Sequence, residues 1–404
     1  MSGSAVGMIR QYEVLIVGAG MVGLSLAALL SKNGRLSVTL IERAERPTFR
    51  PEDDISLRVS ALSPGSIEIL KRVNAWQEIA ETRACPYRNM KVWDAAGSVD
   101  GPETLCFDAA EFALSELGFI AENSLIEQAL LNQLDGIEAS IRYSTDIRRA
   151  TRSCHRFVFE LENGETLTPD LLIGADGADS FVREAAAMKV RSWPYQQKAF
   201  VTCLRPEFNH LNTAWQRFLK EGPIGLLPLV DGRISIVWST TPKMAEDILA
   251  LSDQALAKRL TEVTDGVLGK LTPAGLRATF PLKSQYALNY VQDGLALVGD
   301  AAHTVHPLAG QGANLGFADA ASLAHTINQA VSLDENPGDL PVLRKYERAR
   351  KGKNLAMLGF LHGLNSLFSN ESMAVARFRG FGMYLFNRSG LIRGRAVEHA
   401  LGIR

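Results

Sequence analysis

Three clusters of glycine and acid carry the residue types that could do chemistry. The first is Gly18-Ala19-Gly20-Met21-Val22-Gly23, with Glu42 placed 19 residues beyond Gly23 and followed by Arg43. Gly18 permits a tight turn, Gly20 lets backbone meet a pyrophosphate, and Gly23 allows a helix to pack closely on a strand. A carboxylate at Glu42 is placed to take hydrogen bonds from ribose hydroxyls. The second cluster is Asp176-Gly177, followed by Ser180 and Arg183. The third runs from Gly299-Asp300 through His303, His306-Pro307 and Gly310-Gln311-Gly312-Ala313 to Asn314. Asp300 cannot sit on a phosphate, because like charges repel, and is better suited to sugar hydroxyls. The glycines let N–H groups approach something flat and electron-rich.

The flanking elements set these clusters in place. Val14-Leu15-Ile16-Val17 reads as a buried parallel strand, then a helical pattern runs to Leu30 and a second strand spans Ser37 to Ile41. Strand, Gly-rich turn, helix, strand and acid together indicate an ADP-containing dinucleotide, FAD or NAD(P). Leu171-Leu172-Ile173 is a second buried strand, ending at Asp176, which either holds ribose or anchors its own loop. The apolar run ending at Val298 is a third, and its glycines lead into a helix expected near Asn314. Arg58 is a candidate cation for the cofactor, in a loop leading towards a helix. Ser63-Pro64-Gly65-Ser66 reads as an N-cap. Asn123-Ser124 reads as a cap for a helix over Leu125 to Leu134, and Asn123 is a ligand only if the cofactor lies beside it.

The chain has 404 residues, 46% apolar and 22% charged, with a net charge of -1. These values fit a globular protein of one composite or two domains and give no reason to expect nucleic acid. Cys85, Cys106, Cys154 and Cys203 form no CxxC and read as small buried hydrophobes, so neither a metal nor a disulfide framework is expected. The segment MSGSAVGMIR lacks the apolar core of a signal peptide, and no run is long enough to span a membrane. The expected location is cytoplasmic.

From about Trp193 to Lys283 short alternating runs replace the helix–strand repeat: Phe200 to Leu204, Gly225 to Leu229, and Arg233 to Trp238 after a turn at Asp231-Gly232. An antiparallel sheet covering a ligand is expected, with a helix over Ala245 to Leu260. After Leu343 the chain reads as helical. From Leu361 onward Arg377, Arg379, Arg388, Arg393, Arg395 and Arg404 stand against Glu371 and Glu398. Such a basic amphipathic region either lies on an anionic membrane or packs on the chain's own core.

Three such sites are hard to reconcile with one NAD. In order and spacing, Gly18–Gly23, the DGxxSxxR at Asp176–Arg183 and the GDAAH at Gly299–His303 resemble the single-component FAD-dependent aromatic hydroxylases of the para-hydroxybenzoate hydroxylase type. The likeness covers essentially the whole chain. His306-Pro307-Leu308-Ala309-Gly310-Gln311-Gly312-Ala313-Asn314-Leu315-Gly316 with Asp319, Arg58-Val59-Ser60-Ala61, and Tyr346–Lys351 are similar to the ubiquinone-biosynthesis hydroxylases within it.

The resemblance implies an α/β fold: a Rossmann-like FAD-binding domain with an interleaved antiparallel-sheet substrate domain and a helical C-terminus. Residues 10–80, 120–190 and 284–340 would form the first, 81–119 and 191–283 the second, and 341–404 the last. It implies FAD as cofactor and NAD(P)H as a transiently docked co-substrate. O₂ would be captured as a C4a-hydroperoxide of the reduced flavin, and a prenylated phenol would be hydroxylated, with C5 of a 2-polyprenylphenol favoured. Gly18, Gly20, Glu42 and Arg58 would hold the ADP half, and Asp176 would support the pyrophosphate side. Asp300 would bind the ribityl chain, and the backbone of Gly312 to Asn314 would face the pyrimidine edge of the isoalloxazine. Met21, Val22, Gly23, Arg43, Asn123, Gly299, Pro307, Gly310 and Ala313 would be further cofactor-binding positions. No catalytic base is required, and His306 is a weak candidate that more simply shapes the turn over the flavin. Other ubiquinone-biosynthesis proteins, peripheral contact with the inner membrane and a homo-oligomer are compatible partners. The rivals are a disulfide reductase or flavin halogenase, neither of whose motifs is present, a two-site NAD enzyme, and a flavin-binding scaffold. A prenyl chain is expected to enter beside Ile224-Gly225-Leu226-Leu227-Pro228-Leu229; a fully polar cavity there would count against it.

Overall fold

Continuous β-branched and Leu-rich runs make strands buried on both faces, and these build the first layer. In the computed structural model, which describes residues 11–135, 139–153, 156–368 and 373–402, a six-stranded sheet runs in the order Val291–Gln292, Leu295–Leu297, Leu171–Gly174, Tyr12–Val17, Leu36–Ile41 and Ala139–Arg142. All neighbours are parallel except the Val291–Gln292 edge. Val17 pairs with both Ile41 and Gly174, and Gly174 with Leu297. The strand ends that precede Gly18, Glu42, Asp176 and Asp300 are therefore level with one another. The helices Met21–Leu30 and Gln311–Ser332 pack on this sheet and on each other, with Leu24, Leu26, Phe317 and Leu323 inaccessible to solvent.

The second layer is an eight-stranded, mostly antiparallel sheet. Its order is His303–Thr304, Leu271–Ala287, Val190–Pro206, Ile234–Thr240, Gly222–Pro228, Thr213–Leu219, Asn89–Asp94 and Leu105–Asp108. The one parallel pairing joins Thr213–Leu219 to Asn89–Asp94. His303–Thr304 follows directly from the Gly299–Ala301 turn, so the third cluster passes from one sheet to the other. A three-stranded sheet of Val59–Leu62, Gly118–Glu122 and Cys85–Tyr87 lies alongside.

Some local expectations need correction. The stretch after Arg58 is a strand, Val59–Leu62, held by Gly118–Glu122 rather than running straight into a helix. The helix over Ala245 to Leu260 is two helices, Pro242–Leu249 and Asp253–Val263. Ser252 restarts the second by accepting the Ala255 N–H at 3.3 Å, a capping role that interrupts the pattern. The helix expected near Asn314 begins at Gln311, behind Gly310 in the left-handed region at φ +62°. Asn123 and Ser124 form the first turn of the helix Asn123–Leu134, whose cap is Glu122 without a side-chain cap bond. Phe200 to Leu204 belongs to one 17-residue strand whose register slips between Pro194 and Gln197. Cys85 and Cys203 are buried, but Cys106 is exposed; Cys154 and the segment MSGSAVGMIR lie outside the described residues.

The helices Leu340–Phe368, Met373–Arg388 and Leu391–Ala400 complete the chain. Phe368 stacks on Phe218 of the second sheet with centroids 3.7 Å apart, and Arg379 pairs with Asp94 in a buried ion pair. The late apolar residues are divided: Met383 and Leu401 are buried, whereas Phe381, Leu385 and Ile392 are exposed. Among the described residues no helix is long and apolar enough to cross a membrane.

Candidate functional site

The Gly-rich turn shows three different uses of glycine. At Gly18, φ is +105° and a Cβ would lie 2.4 Å from the Ala175 carbonyl oxygen, so only glycine fits. A Cβ on Gly23 would lie 2.0 Å from the Gly18 carbonyl, which is the close helix–strand contact. Gly20 caps the first helix with extended backbone, and the only atom within 4 Å of its notional Cβ is Glu127 Oε1 at 3.9 Å. Its neighbourhood is open where a ligand must approach. Glu42 is pinned beside the turn, accepting the Ala19 N–H at 2.8 Å and the Ala44 N–H at 2.9 Å.

These residues line one cavity of about 810 Å³, within the range of small-molecule and cofactor sites. Of the residues assigned from sequence, Gly18, Gly20, Met21, Val22, Glu42, Arg43, Arg58, Asn123, Asp176, Asp300, Pro307, Gly310, Gly312 and Ala313 are brought together on its walls. Gly23, Gly299 and Asn314 are not; they stand behind it. Gly299, at φ +57°, donates its N–H to Asp319 at 3.3 Å and abuts Val22. The Asn314 side chain accepts from Ser63 N at 2.9 Å and Ser66 Oγ at 2.7 Å. It donates to the carbonyls of Ala61 at 2.9 Å and Gly310 at 3.0 Å.

The acids are held in distinct ways. Asp176 Oδ2 accepts the Val182 N–H at 3.0 Å, so the carboxyl anchors its loop while also facing the cavity. Burial pushes its pKa up, against hydrogen bonds from Ser180 and loop amides. Arg183 ties the same loop to the third cluster, donating to Ala178 O at 2.7 Å and Ala301 O at 2.8 Å. Asp300 is accessible on the cavity wall yet surrounded by enough protein that burial raises its pKa; His303 and Arg58 oppose the shift. Beneath it Asp319, fully buried, receives His303 Nε2, Arg350 Nε at 2.7 Å and Asn354 Nδ2 at 3.0 Å. Burial pushes Asp319 up, but the attraction of His303 and Arg350 and these hydrogen bonds win, and its pKa falls below the ordinary value.

His306 lines neither this cavity nor the one described next. It is 1% exposed, its Nε2 lies 3.2 Å from Gln197 Oε1, and burial pushes its pKa down to about 4. The ring is neutral near pH 7. Among the described residues no cluster of His, Cys, Asp or Glu could hold a metal.

A second, smaller cavity of about 140 Å³ lies between the three-stranded and the eight-stranded sheet and shares Val59, Pro307 and Gly310 with the first. Ile120, Met90, Leu227, Val237 and Leu308 make it largely apolar, and Tyr87, Gln216 and Ser239 give it three polar side chains. The apolar run beside it is split by strand alternation. Gly225 and Leu227 line the cavity, while Ile224 and Leu226 join the core under the two inserted helices. Reading from sequence missed Glu127, Val305 and the Thr145–Ile147 stretch as cavity walls. Glu127 carried a signal, since it lies one helical turn beyond Asn123.

The fit to FAD rests on this geometry. The floor offers an open helix N-terminus for a pyrophosphate, acids suited to sugar hydroxyls, and at Gly312 a backbone whose notional Cβ meets only Val305, at 3.8 Å. Residues 11–354 match the family described as FAD binding domain. A 3-demethoxyubiquinol 3-hydroxylase of Escherichia coli is 36% identical over 97% of this chain and 98% of its own. The mitochondrial ubiquinone biosynthesis monooxygenase COQ6 of Xenopus tropicalis is 34% identical over 93% of this chain and 90% of its own. In three dimensions the chain is similar to p-nitrophenol 4-monooxygenase PnpA from Pseudomonas putida, with a TM-score of 0.77 at 18% identity over 98% of this chain and all of that one.

Proposed function

We propose a substrate and a division of labour for a chain that belongs to the FAD binding domain family and, within it, to the ubiquinone-biosynthesis hydroxylases. It is an FAD-dependent aromatic monooxygenase. Its substrate on our reading is a polyprenylated phenol or quinol, with NAD(P)H as the source of electrons. The observation that carries this is the apolar cavity sharing Val59, Pro307 and Gly310 with the dinucleotide cavity. On this reading it would seat a ring beside the cofactor and keep water from both.

FAD, when bound, supplies the activation of O₂. The chain's own residues do the rest. The N–H groups at Gly20 and Met21 face the pyrophosphate, Glu42 takes ribose hydroxyls, and Asp300 takes the ribityl chain. The backbone of Gly312 and Ala313 meets the pyrimidine edge, and Asp176 orders the pyrophosphate side. Tyr87, Gln216 and Ser239 supply hydrogen bonds to the ring oxygens, and Leu227 packs on the ring or the start of its prenyl tail. Burial pushes the Tyr87 phenol up to about 12, so it remains a donor. The parallel-sheet residues would form the cofactor domain, and 81–119 with 191–283 the substrate domain.

For the ring position we favour a quinol lacking one late oxygen substituent over C5 of a 2-polyprenylphenol, following the name of the bacterial relative. The exposed Phe381, Leu385 and Ile392 beside Arg388 and Arg395 suit peripheral contact with an anionic membrane, where such a substrate resides.

The test is complementation of bacterial strains each lacking one ring hydroxylation, with extracted quinones measured by mass spectrometry. It is paired with substrate-dependent NADH or NADPH oxidation by the purified protein. Rescue of the strain that accumulates the demethoxy quinone supports the favoured position, and rescue of the one that accumulates polyprenylphenol moves it to C5. A flavin-loaded protein that rescues none and oxidises NAD(P)H without regard to any prenylphenol overturns the substrate, leaving the scaffold reading.

A further inference from the structure

The first turn of the helix Asn123–Leu134 presents Asn123, Ser124 and Glu127 to the dinucleotide cavity. Glu127 has the unusual place. Its Oε1 lies 3.9 Å from where a Cβ on Gly20 would be, on the side of the Met21 N–H. An acid thus stands beside the N-terminus of the first helix, next to the spot that the Gly-rich turn leaves open for an anion. Glu42 faces it from the end of the second strand, and Arg58 from the loop before Val59. Tyr143 faces it from the turn after Arg142, with Arg46 and Asp135 beyond.

Ionised, Glu127 would set a third negative charge against a pyrophosphate that already carries two. Neutral, its carboxylic O–H is a hydrogen-bond donor that a phosphate oxygen can accept. Burial pushes this group up to about 7, with Glu42 adding to the rise and Arg58 and the Met21 N–H opposing it. The free protein therefore holds Glu127 near balance at physiological pH, and a dianion beside it tips the balance to the acid. Tyr143, pushed to about 12 by burial, titrates far outside that range.

We propose that Glu127 binds the cofactor's pyrophosphate as a neutral carboxylic acid, so that each FAD bound above neutrality takes one proton from solvent. This rests on the FAD reading of the cavity. The proton ends on the Glu127 carboxylate and no other bond changes.

The test uses the full chain stripped of flavin, titrated with FAD between about pH 6 and pH 9. Binding is followed by quenching of flavin fluorescence, and proton uptake by calorimetry in two buffers of different ionisation heat. The expected Kd is level below about pH 7 and rises towards tenfold per pH unit above it, with uptake approaching one proton. Glu127→Gln keeps a neutral donor, so its Kd should stay level across the range, near the wild-type value at the acid end. Glu127→Ala should also be level but weaker than wild type at the acid end. A slope that persists in both variants overturns the proposal and assigns the proton to Asp176 or Asp300. A wild-type Kd that ignores pH overturns it as well. A chain that binds FAD at no pH overturns the cofactor reading itself.

Discussion

Replacing Asp319 with alanine tests whether the buried ion-pair network holds the third cluster in place. The carboxylate is 0% exposed and receives four donors: Gly299 N, His303 Nε2, Arg350 Nε and Asn354 Nδ2. Removing it leaves the Arg350 guanidinium, itself only 9% exposed, with Asn354 Oδ1 at 2.9 Å and a long contact to the Leu315 carbonyl. Breaking one side of a buried pair costs about 3–5 kcal/mol, because the remaining charge stays desolvated. The orphaned Gly299 N–H overlaps with that figure and does not simply add to it. Against a total stability on the order of 5–15 kcal/mol, the variant should lose about a fifth or more. The assay is the urea midpoint at pH 7, read by circular dichroism and by tryptophan fluorescence so that coincidence of the two curves checks cooperativity. Because the folded pKa of Asp319 is lowered, its contribution is complete above the unfolded value of 3.8 and is lost as pH falls below it. The loss should therefore be the same at pH 6 and pH 8. A double variant, Asp319→Leu with Arg350→Met, removes both charges and should recover much of the loss. A cost below about 1 kcal/mol for Asp319→Ala, or strict additivity in the double variant, would refute the reasoning.

Three other outcomes can be checked with ordinary preparations. Gly23→Ala drives a methyl to 2.0 Å from the Gly18 carbonyl, so the first helix must move; the purified protein should lose most of its flavin on desalting, read as the absorbance ratio of flavin to protein. Glu127→Gln should stabilise the flavin-free chain at pH 8 by about 3 kcal/mol and leave it unchanged near pH 3, where both states are protonated. The sign follows because a carboxyl at about 7 when folded and 4.5 when unfolded makes the native state lose stability as pH rises through that interval. Leu227→Trp adds volume to a wall of the 140 Å³ cavity; flavin content should persist while prenylphenol-stimulated NAD(P)H oxidation falls at least tenfold, and undiminished stimulation would remove Leu227 from the ring's seat.

What could be read from the sequence was whatever is encoded as a local conformation at a fixed spacing. Gly18 needs a positive φ, Gly20 leaves room for an approach and Gly23 a missing Cβ, and Glu42 follows at the end of the next strand, so turn, open approach and acid are legible together. The apolar runs at Val14–Val17 and Leu171–Ile173 declare buried parallel strands for a similar reason. What escaped depends on partners distant in sequence. Val59–Leu62 becomes a strand because Gly118–Glu122 arrives beside it, and nothing in its own pattern says so. Asn314 looked like a ligand because it ends a Gly-rich loop, but its amide is consumed by Ser63, Ser66, Ala61 and Gly310. Glu127 lies one helical turn beyond Asn123, but only the approach of the first helix makes it part of a wall.

The Asn314 clamp also explains how a cofactor cavity and a ring cavity remain separate while touching. Gly310 carries the chain at φ +62°, and a Cβ there would come within 2.8 Å of the Ala61 Cβ. Backbone from the third cluster thus presses directly on the strand Val59–Leu62. Four hydrogen bonds from one amide fix that contact from behind, joining Ala61 and Ser63 on one side to Gly310 on the other. Val59 and Gly310, at the two ends of the seam, are walls of both cavities, and Pro307 is the third. On the proposed reading this shared wall would let a ring approach the cofactor beside Val59, Pro307 and Gly310. Its rigidity comes from paired amide groups rather than apolar packing, which would need bulk that the seam has no room for. The glycine at position 310 is therefore required twice, for its left-handed backbone and for its missing Cβ.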